Sequence, residues 1–349
     1  MARTAHRSLP QARRRRGLLR LLGAVLGGGS LLGALAQAPR GNRPVVIRFS
    51  HVVAEDTPKG QMALRFQALL QARSGGQIRV EVYPGASLYG DRDEVEALRQ
   101  GAVEMLAPSL SKFGRIGFPE FELFDLPFLF TSEVAVHRLT QGALGKALLQ
   151  RLRRQQMVGL GFLDNGFKQM SANRPLLEPA DYAGLRMRVQ SSRTIARQMH
   201  ALGVRPVTLP FSETRRALGL GLVDGTENPI SNFWTQRMHE VQSDLTLTQH
   251  GYLGYAVVVG QPFWDSLSAD QRTLVQTALD EALVWGNSIA AGQNAQALDS
   301  LRAAGTTRIH LLDAGQRRHL RAAVQPAYDE LARRIGRSWL DMAREAVAD

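Results

Sequence analysis

The sequence contains no cysteine. That single absence removes disulfides, thiolate metal centres, cysteine nucleophiles and a lipidated cysteine behind an export signal. Lysine is nearly as scarce, with four residues against 39 arginines. Beyond residue 36 no apolar run approaches the length of a membrane-spanning helix. Enzyme signatures are missing too: there is no G-x-S-x-G elbow, no H-E-x-x-H and no Walker loop. Gly159-Leu160-Gly161 and Gly219-Leu220-Gly221 each begin a dinucleotide fingerprint and fail to complete it. His239-Glu240 opens a zinc-type pattern, but Ser243 stands where the second histidine is required. The eight histidines are scattered without metal-like spacing. The sequence therefore assigns no catalytic residue, no metal ligand and no cofactor.

What is present is a chain of 349 residues, 44% hydrophobic, long enough for two ordinary domains with real cores. Its formal charge of +12 points at first to nucleic acid. The location of the charge removes that reading. Residues 1–36 hold seven arginines and no acid, then the apolar, glycine-rich run Leu21–Leu35, then the small-x-small sequence Ala34-Leu35-Ala36. Basic start, apolar middle and small-residue exit make a cleaved secretory signal peptide. Arg15-Arg16-Gly17-Leu18-Leu19-Arg20 also resembles a twin-arginine pattern, so both the Sec and the twin-arginine routes stay open, as does a retained anchor. Removal of the segment leaves a net charge of +5 and a soluble exported chain, for which a periplasm is the expected location.

Val45–Val53 is apolar and β-branched, a strand, and Thr57-Pro58 reads as the cap and first residue of a helix carrying Met62, Phe66, Leu69 and Leu70. A strand at Gln77–Tyr83, a helix at Asp91–Gln100 and a strand at Val103–Ala107 follow, an α/β arrangement with parallel strands. The phenylalanine-dense segment Phe121–Phe130 reads as irregular chain lining the core, with a pocket wall as the alternative. A helix over 132–155 and a strand over 157–163 close this unit. New strands at Gly166–Ser171, Leu185–Val189, Val204–Thr208 and Val241–Thr246 indicate a second α/β domain, with helices near 191–202 and 212–220 between them. Asp224-Gly225 is a turn dipeptide, so Asp224 and Glu227 are expected to shape a turn rather than act as paired acids. Tyr255–Val259 reads as a crossing strand, and the chain from Ser268 to about Ala303 as one very long helix, followed by a strand at Thr307–Leu311 and terminal helices. The expected division is discontinuous: residues 45–164 with 254–290, and residues 165–253 with 291–349. Exported, two-domain, α/β and without catalytic motifs is the profile of a solute receptor.

A specific resemblance sharpens this. DNGFKQMSANRPL and DYAGLRMRVQSS within 164–192 resemble the solute receptors of tripartite ATP-independent periplasmic (TRAP) transporters. So do LPFSETRRALGLGLVDGTENPISN, EVQSDLTLTQHGYLGYAVVV, FWDSLSADQR, FSHVVAEDTPKG, VEVYPGASLYGDRDEVEALRQGAVEMLAPSL and DLPFLF, over roughly residues 44–290. The wording is most similar to the C4-dicarboxylate branch, the DctP type. The resemblance implies a two-domain periplasmic receptor fold with a ligand cleft between α/β domains and a long domain-spanning helix, which matches 268–303.

It also implies site residues. The family's anchoring arginine falls on Arg188 in the G-L-[KR]-x-R-V motif, although periodicity alone does not choose Arg188 over Arg186. Lys168 in NGFK matches a second basic ligand, and Asn228 in D-G-x-E-N an amide donor. His51, Lys59, Asp91, Ser109, Lys112, Phe211, Asn232 and His250 are further matches, with Phe211 expected against the ligand's carbon chain. Independently, three of the four lysines (Lys59, Lys112, Lys168) fall within these motif segments, in a chain that otherwise uses arginine. One departure stands out: Glu213 is followed by Thr214-Arg215-Arg216 where the family carries a tyrosine. The implied partners are a small organic acid, a C4-dicarboxylate first and a 2-oxo acid or sugar acid second, together with the small and large membrane subunits of a TRAP transporter. Neither nucleic acid nor oligomerisation is expected, and an exported enzyme on the same scaffold is the rival of a different class.

Overall fold

The computed structural model describes residues 44–348. The export segment expected at 1–36 lies outside the described residues. Among the described residues nine strands form one sheet: β1 (Val45–Ser50), β2 (Ile78–Tyr83), β3 (Met105–Leu106), β4 (Met157–Ala172), β5 (Arg186–Val189), β6 (Arg205–Thr208), β7 (Gly225–Asn228), β8 (Asp244–Gly260) and β9 (Arg308–Leu311). Their order is β2-β1-β3-β8-β4-β7-β5-β6, with β9 also on β8. β1 pairs in parallel with β2 and β3, and β5 with β6 and β7. These parallel groups stand at opposite ends of an antiparallel pair, β4 and β8, which runs through the middle of the molecule.

That pair corrects the sequence reading. Residues 157–163 and 166–171 are not two strands in two units, nor are 241–246 and 255–259. Each pair belongs to one continuous strand, of 16 residues in β4 and 17 in β8. The register shifts at Gly159/Gly161, Asp164/Gly166 and Lys168/Met170, so the chain bends at bulges without leaving the sheet. Gly166 has φ +138°, a conformation that L side chains rarely adopt, and a Cβ there would meet Asn294 at 2.7 Å.

The long helix is observed as Ala269–Ala304. A capping box starts it, with Ser268 accepting from the Gln271 amide and Gln271 returning the bond, and left-handed Gly305 ends it. It packs on the helix Pro58–Arg73 near one end of the sheet and on the helix Ile230–Thr235 near the other. Close approach requires Gly286, where a Cβ would lie 2.9 Å from Leu163 and 3.0 Å from Met62. Ile47, Phe49, Phe66 and Val80 build apolar core at the β1 end, and Met187, Val189, Ile195 and Met199 at the β5 end.

Smaller corrections have local causes. The helix expected over 132–155 breaks at Gly142 into Glu133–Gln141 and Ala143–Arg151, then ends in a short 3₁₀ turn. The phenylalanine-rich segment does line the core, with Phe121 and Phe124 buried, but Pro119–Asp125 is itself a 3₁₀ helix. Gly225 opens β7, so Asp224 and Glu227 serve a strand: Asp224 pairs with Arg186 and Glu227 with Lys168. No helix among the described residues is long and apolar enough to cross a membrane.

Candidate functional site

A cavity of about 270 Å³ opens where the two parallel groups face each other across β4 and β8. The β1 end contributes Lys59, Asp91, Ser109 and Lys112, and the β5 end contributes Arg188, Gln190, Phe211, Asn228 and Asn232. Val52, Val53, Leu253 and Tyr255 supply apolar wall. Such a lining, apolar with a few convergent polar groups, is what small-ligand sites have in common.

Arg186 and Arg188 share a strand but not an environment. Arg186 donates to Asp224 at 2.6 Å and its side chain remains 43% exposed. Arg188 is 3% exposed. Its Nε donates to the Leu209 carbonyl at 3.0 Å, and its guanidinium lies 5.8 Å from the Phe211 ring centre. Among the described residues no carboxylate pairs with it. Burial lowers its pKa, opposed by the charges of Asp91 and Glu227.

Lys59 sits in the first turn of the helix Pro58–Arg73, behind the Thr57 cap. A cation there opposes the helix dipole. Its ammonium donates to the Ala107 carbonyl at 3.0 Å and stands 3.8 Å over the centre of the Tyr255 ring. It too has no carboxylate bonded to it among the described residues. Burial pushes its pKa down to about 7, with Glu94 and Asp91 raising and Lys112 lowering it.

The other two buried lysines already have anionic partners. Lys112 is bonded to Asp91 and Glu94. Burial would lower its pKa, but those two acids outweigh burial and raise it. Burial would raise Asp91, yet Lys112 and the Phe211 amide hold it at about 2. Lys168 stands outside the cavity lining, 3.0 Å from Glu227 and 4.0 Å from Asp125. Burial would raise Glu227, but Lys168 and His250 bring it to about 2. Asp125 goes the other way, raised by burial to about 7 against the pull of Lys168.

Of the residues singled out from the sequence, Arg188, Lys59, Asn228, Phe211, Ser109, Asn232, Asp91 and Lys112 line one cavity. Lys168, His250 and His51 do not. His250 is bonded to Glu227 at 3.1 Å and to Thr248 at 2.6 Å. His51 is fully buried with neither ring nitrogen bonded; burial, and then the Lys59 charge, hold its pKa down at about 3. Arg215, where the tyrosine is missing, pairs with Glu240 and takes no part in the lining.

Several lining residues escaped the sequence reading, among them Tyr255, Gln190 and Arg92. Two of them make contacts between the ends of the sheet. The Gln190 amide donates to Ser109 at 2.9 Å, and Arg92 lies 3.5 Å from Glu213. The Phe211 amide adds a third such contact, to Asp91. Gln190 follows directly on the Arg188 motif, so proximity to that motif was the available signal.

Residues 49–334 match the family described as bacterial extracellular solute-binding protein, family 7. The chain is 49% identical over 330 residues to the C4-dicarboxylate-binding periplasmic protein DctP of Rhodobacter capsulatus, covering 95% of this chain and 99% of that one. It is similar to a TRAP periplasmic solute-binding protein from Shewanella oneidensis with bound succinate, at 42% identity and a TM-score of 0.86, over 87% of this chain and all of the other. A TRAP periplasmic solute-binding protein from Pseudomonas aeruginosa with bound L-malate is 40% identical with a TM-score of 0.80, over 82% of this chain and 100% of that one.

Proposed function

Because the chain belongs to the bacterial extracellular solute-binding proteins of family 7, we propose that it is the periplasmic receptor of a TRAP transporter and binds a C4-dicarboxylate. The observation that carries this reading is the pairing of Arg188 and Lys59. Both are buried cations without a carboxylate partner, they line one cavity, and they come from opposite ends of the sheet. A ligand with two carboxylates supplies one anion to each.

The physics favours a dianion. Carboxylates entering a closed cavity lose hydration and need charge-assisted donors in exchange, worth about 1.5–3 kcal/mol each. The Arg188 fork offers two parallel donors to one carboxylate. Lys59 offers a compact charge to the other, and the positive end of its helix adds to the attraction. Phe211, Val52, Val53 and Leu253 accommodate the short carbon chain. Asn228 and Asn232 add amide contacts. Lys168 neutralises Glu227 beneath the cavity, so that the acid beside Asn228 does not repel the ligand.

The ligand then acts as a bridge between lobes, residues 45–164 with 254–290 and residues 165–253 with 291–349. A bridged ligand favours the closed arrangement by its differential affinity for it. The closed receptor delivers its acid to small and large membrane subunits, and an ion gradient drives uptake. Residues 1–36 direct export and are removed. No covalent step is involved.

Thermal unfolding against succinate, L-malate, fumarate, 2-oxo acids and sugar acids tests the reading. A ligand at a hundred times its dissociation constant stabilises by about 2.7 kcal/mol. Stabilisation by four-carbon diacids above the others is expected. No shift with any four-carbon diacid overturns the ligand assignment, and chemical turnover of a bound acid overturns the receptor role.

A further inference from the structure

Two hydrogen bonds within the chain tie the β5 end of the cavity to its β1 end. In the first, Gln190 Nε2 donates to Ser109 Oγ at 2.9 Å. In the second, the Phe211 amide donates to the Asp91 carboxylate. All four residues line the cavity, so both bonds run from one wall to the other. The Asp91 acceptor is itself fixed by its ion pair with Lys112.

The Gln190 bond is anchored on both sides. Gln190 directly follows β5, the strand of Arg188, and its own carbonyl accepts the Ser192 amide at 2.9 Å. Ser192 in turn caps the helix Arg193–Ala201. On the facing wall Ser109 is buried, makes an antiparallel bridge to Tyr255 of β8, and accepts the Lys112 amide at 3.0 Å through its carbonyl. The Gln190 side-chain carbonyl lies 3.4 Å from the Ser111 hydroxyl, but that hydroxyl donates to Asp125, so the bond to Ser109 is the one that holds Gln190. A hydroxyl that accepts one bond still has its own proton to give. In Ser109 that proton is left for an anion in the cavity.

We propose that Gln190 is a positioning residue for ligand retention: by docking on Ser109 it holds the wall of Arg188 against the facing wall and leaves the Ser109 proton to the ligand's carboxylate. A contact made only in the closed arrangement slows opening, and opening precedes release. Gln190 acts through Ser109 and through closure, so its contribution is the same for every acid the cavity takes. The proposal rests on the reading of the cavity as a ligand site closing between two walls, and not on which acid fills it.

The test uses the absence of cysteine, which confines spin labels to two introduced sites. Arg99→Cys and Arg216→Cys are exposed positions on the helices Glu94–Arg99 and Thr214–Gly219, one on each side of the Asp91–Phe211 contact. In ligand-free protein Gln190→Ala should move the label-to-label distance distribution to longer values. Ser109→Ala should do the same, and the double variant should add nothing further. With ligand, stopped-flow dissociation of succinate, L-malate and fumarate should speed up about three- to tenfold in Gln190→Ala, by a common factor and without slower association. A distance distribution unchanged by Gln190→Ala overturns the proposal. So does faster release of one acid alone, which would make Gln190 a direct ligand contact. Failure of all three acids to bind the unaltered protein overturns the C4-dicarboxylate reading instead, and the ligand-free distances then decide on Gln190.

Discussion

Lys168 and Glu227, fully buried and 3.0 Å apart, form an ion pair, and Glu227 directly precedes Asn228 of the cavity wall. The pair commits a lysine conspicuous in the sequence to an acid of this chain, and that lysine stands outside the lining. Its charge is already answered. Lys112 is answered likewise by Asp91 and Glu94. Among the described residues, Arg188 and Lys59 are the buried cations of the lining without a carboxylate partner, and on the proposed function three predictions follow from how these four groups are held.

Arg188→Ala should weaken succinate binding by two or more decades in titration calorimetry. Arg188→Lys should recover only part of the loss, because an ammonium cannot reproduce two parallel bonds to one carboxylate. Unchanged affinity in the alanine variant removes Arg188 from the site.

Diacid binding should be linked to proton uptake at Lys59. Its pKa of about 7 in the empty cavity leaves the amine increasingly neutral as pH rises above that value. A bound carboxylate favours the charged form and raises the pKa. Below pH 7 the proton is already present, and affinity is flat with respect to this group. Above pH 7 it must be taken up, and affinity should fall towards tenfold per pH unit. Calorimetry at pH 8 in buffers of different ionisation enthalpy should report uptake approaching one proton. Lys59→Met should bind more weakly and lose that slope; an unaltered slope assigns the proton elsewhere.

Glu227→Gln should lower the unfolding temperature markedly, since a buried lysine deprived of its counter-charge costs about 3–5 kcal/mol. Lys168→Met combined with Glu227→Leu should be less damaging than Glu227→Gln alone. Thermal or denaturant unfolding of the single and double variants decides. Additive losses would mean that the pair acts as two independent residues.

The sequence made the fold class legible through ordinary signals. Thr57-Pro58 started a helix, Ser268 with Gln271 capped the long one, and Val45–Ser50 showed its β-branched run. The continuity of β4 and β8 was not legible. Asp164-Asn165-Gly166 and Gln249-His250-Gly251 interrupt the apolar pattern and read as breaks. In the structure those polar groups are held by tertiary partners: Asp164 by Tyr252 and His137, His250 by Glu227. The site divides in the same way. Motif residues marked the neighbourhood of the cavity, and eight of the eleven line it. Which lysine meets an acid depends on contacts 18 and 59 residues apart in the chain, Lys112 with Glu94 and Lys168 with Glu227. Local pattern carries no record of such pairs.

β4 and β8 pass unbroken from one end of the sheet to the other, and the chain returns to each end more than once. No stretch of the gene therefore encodes one lobe alone. A protease that nicks a surface loop should leave the two fragments interleaved rather than release a separable half. Remodelling of the chain by recombination would have to exchange the two ends of the sheet as one unit.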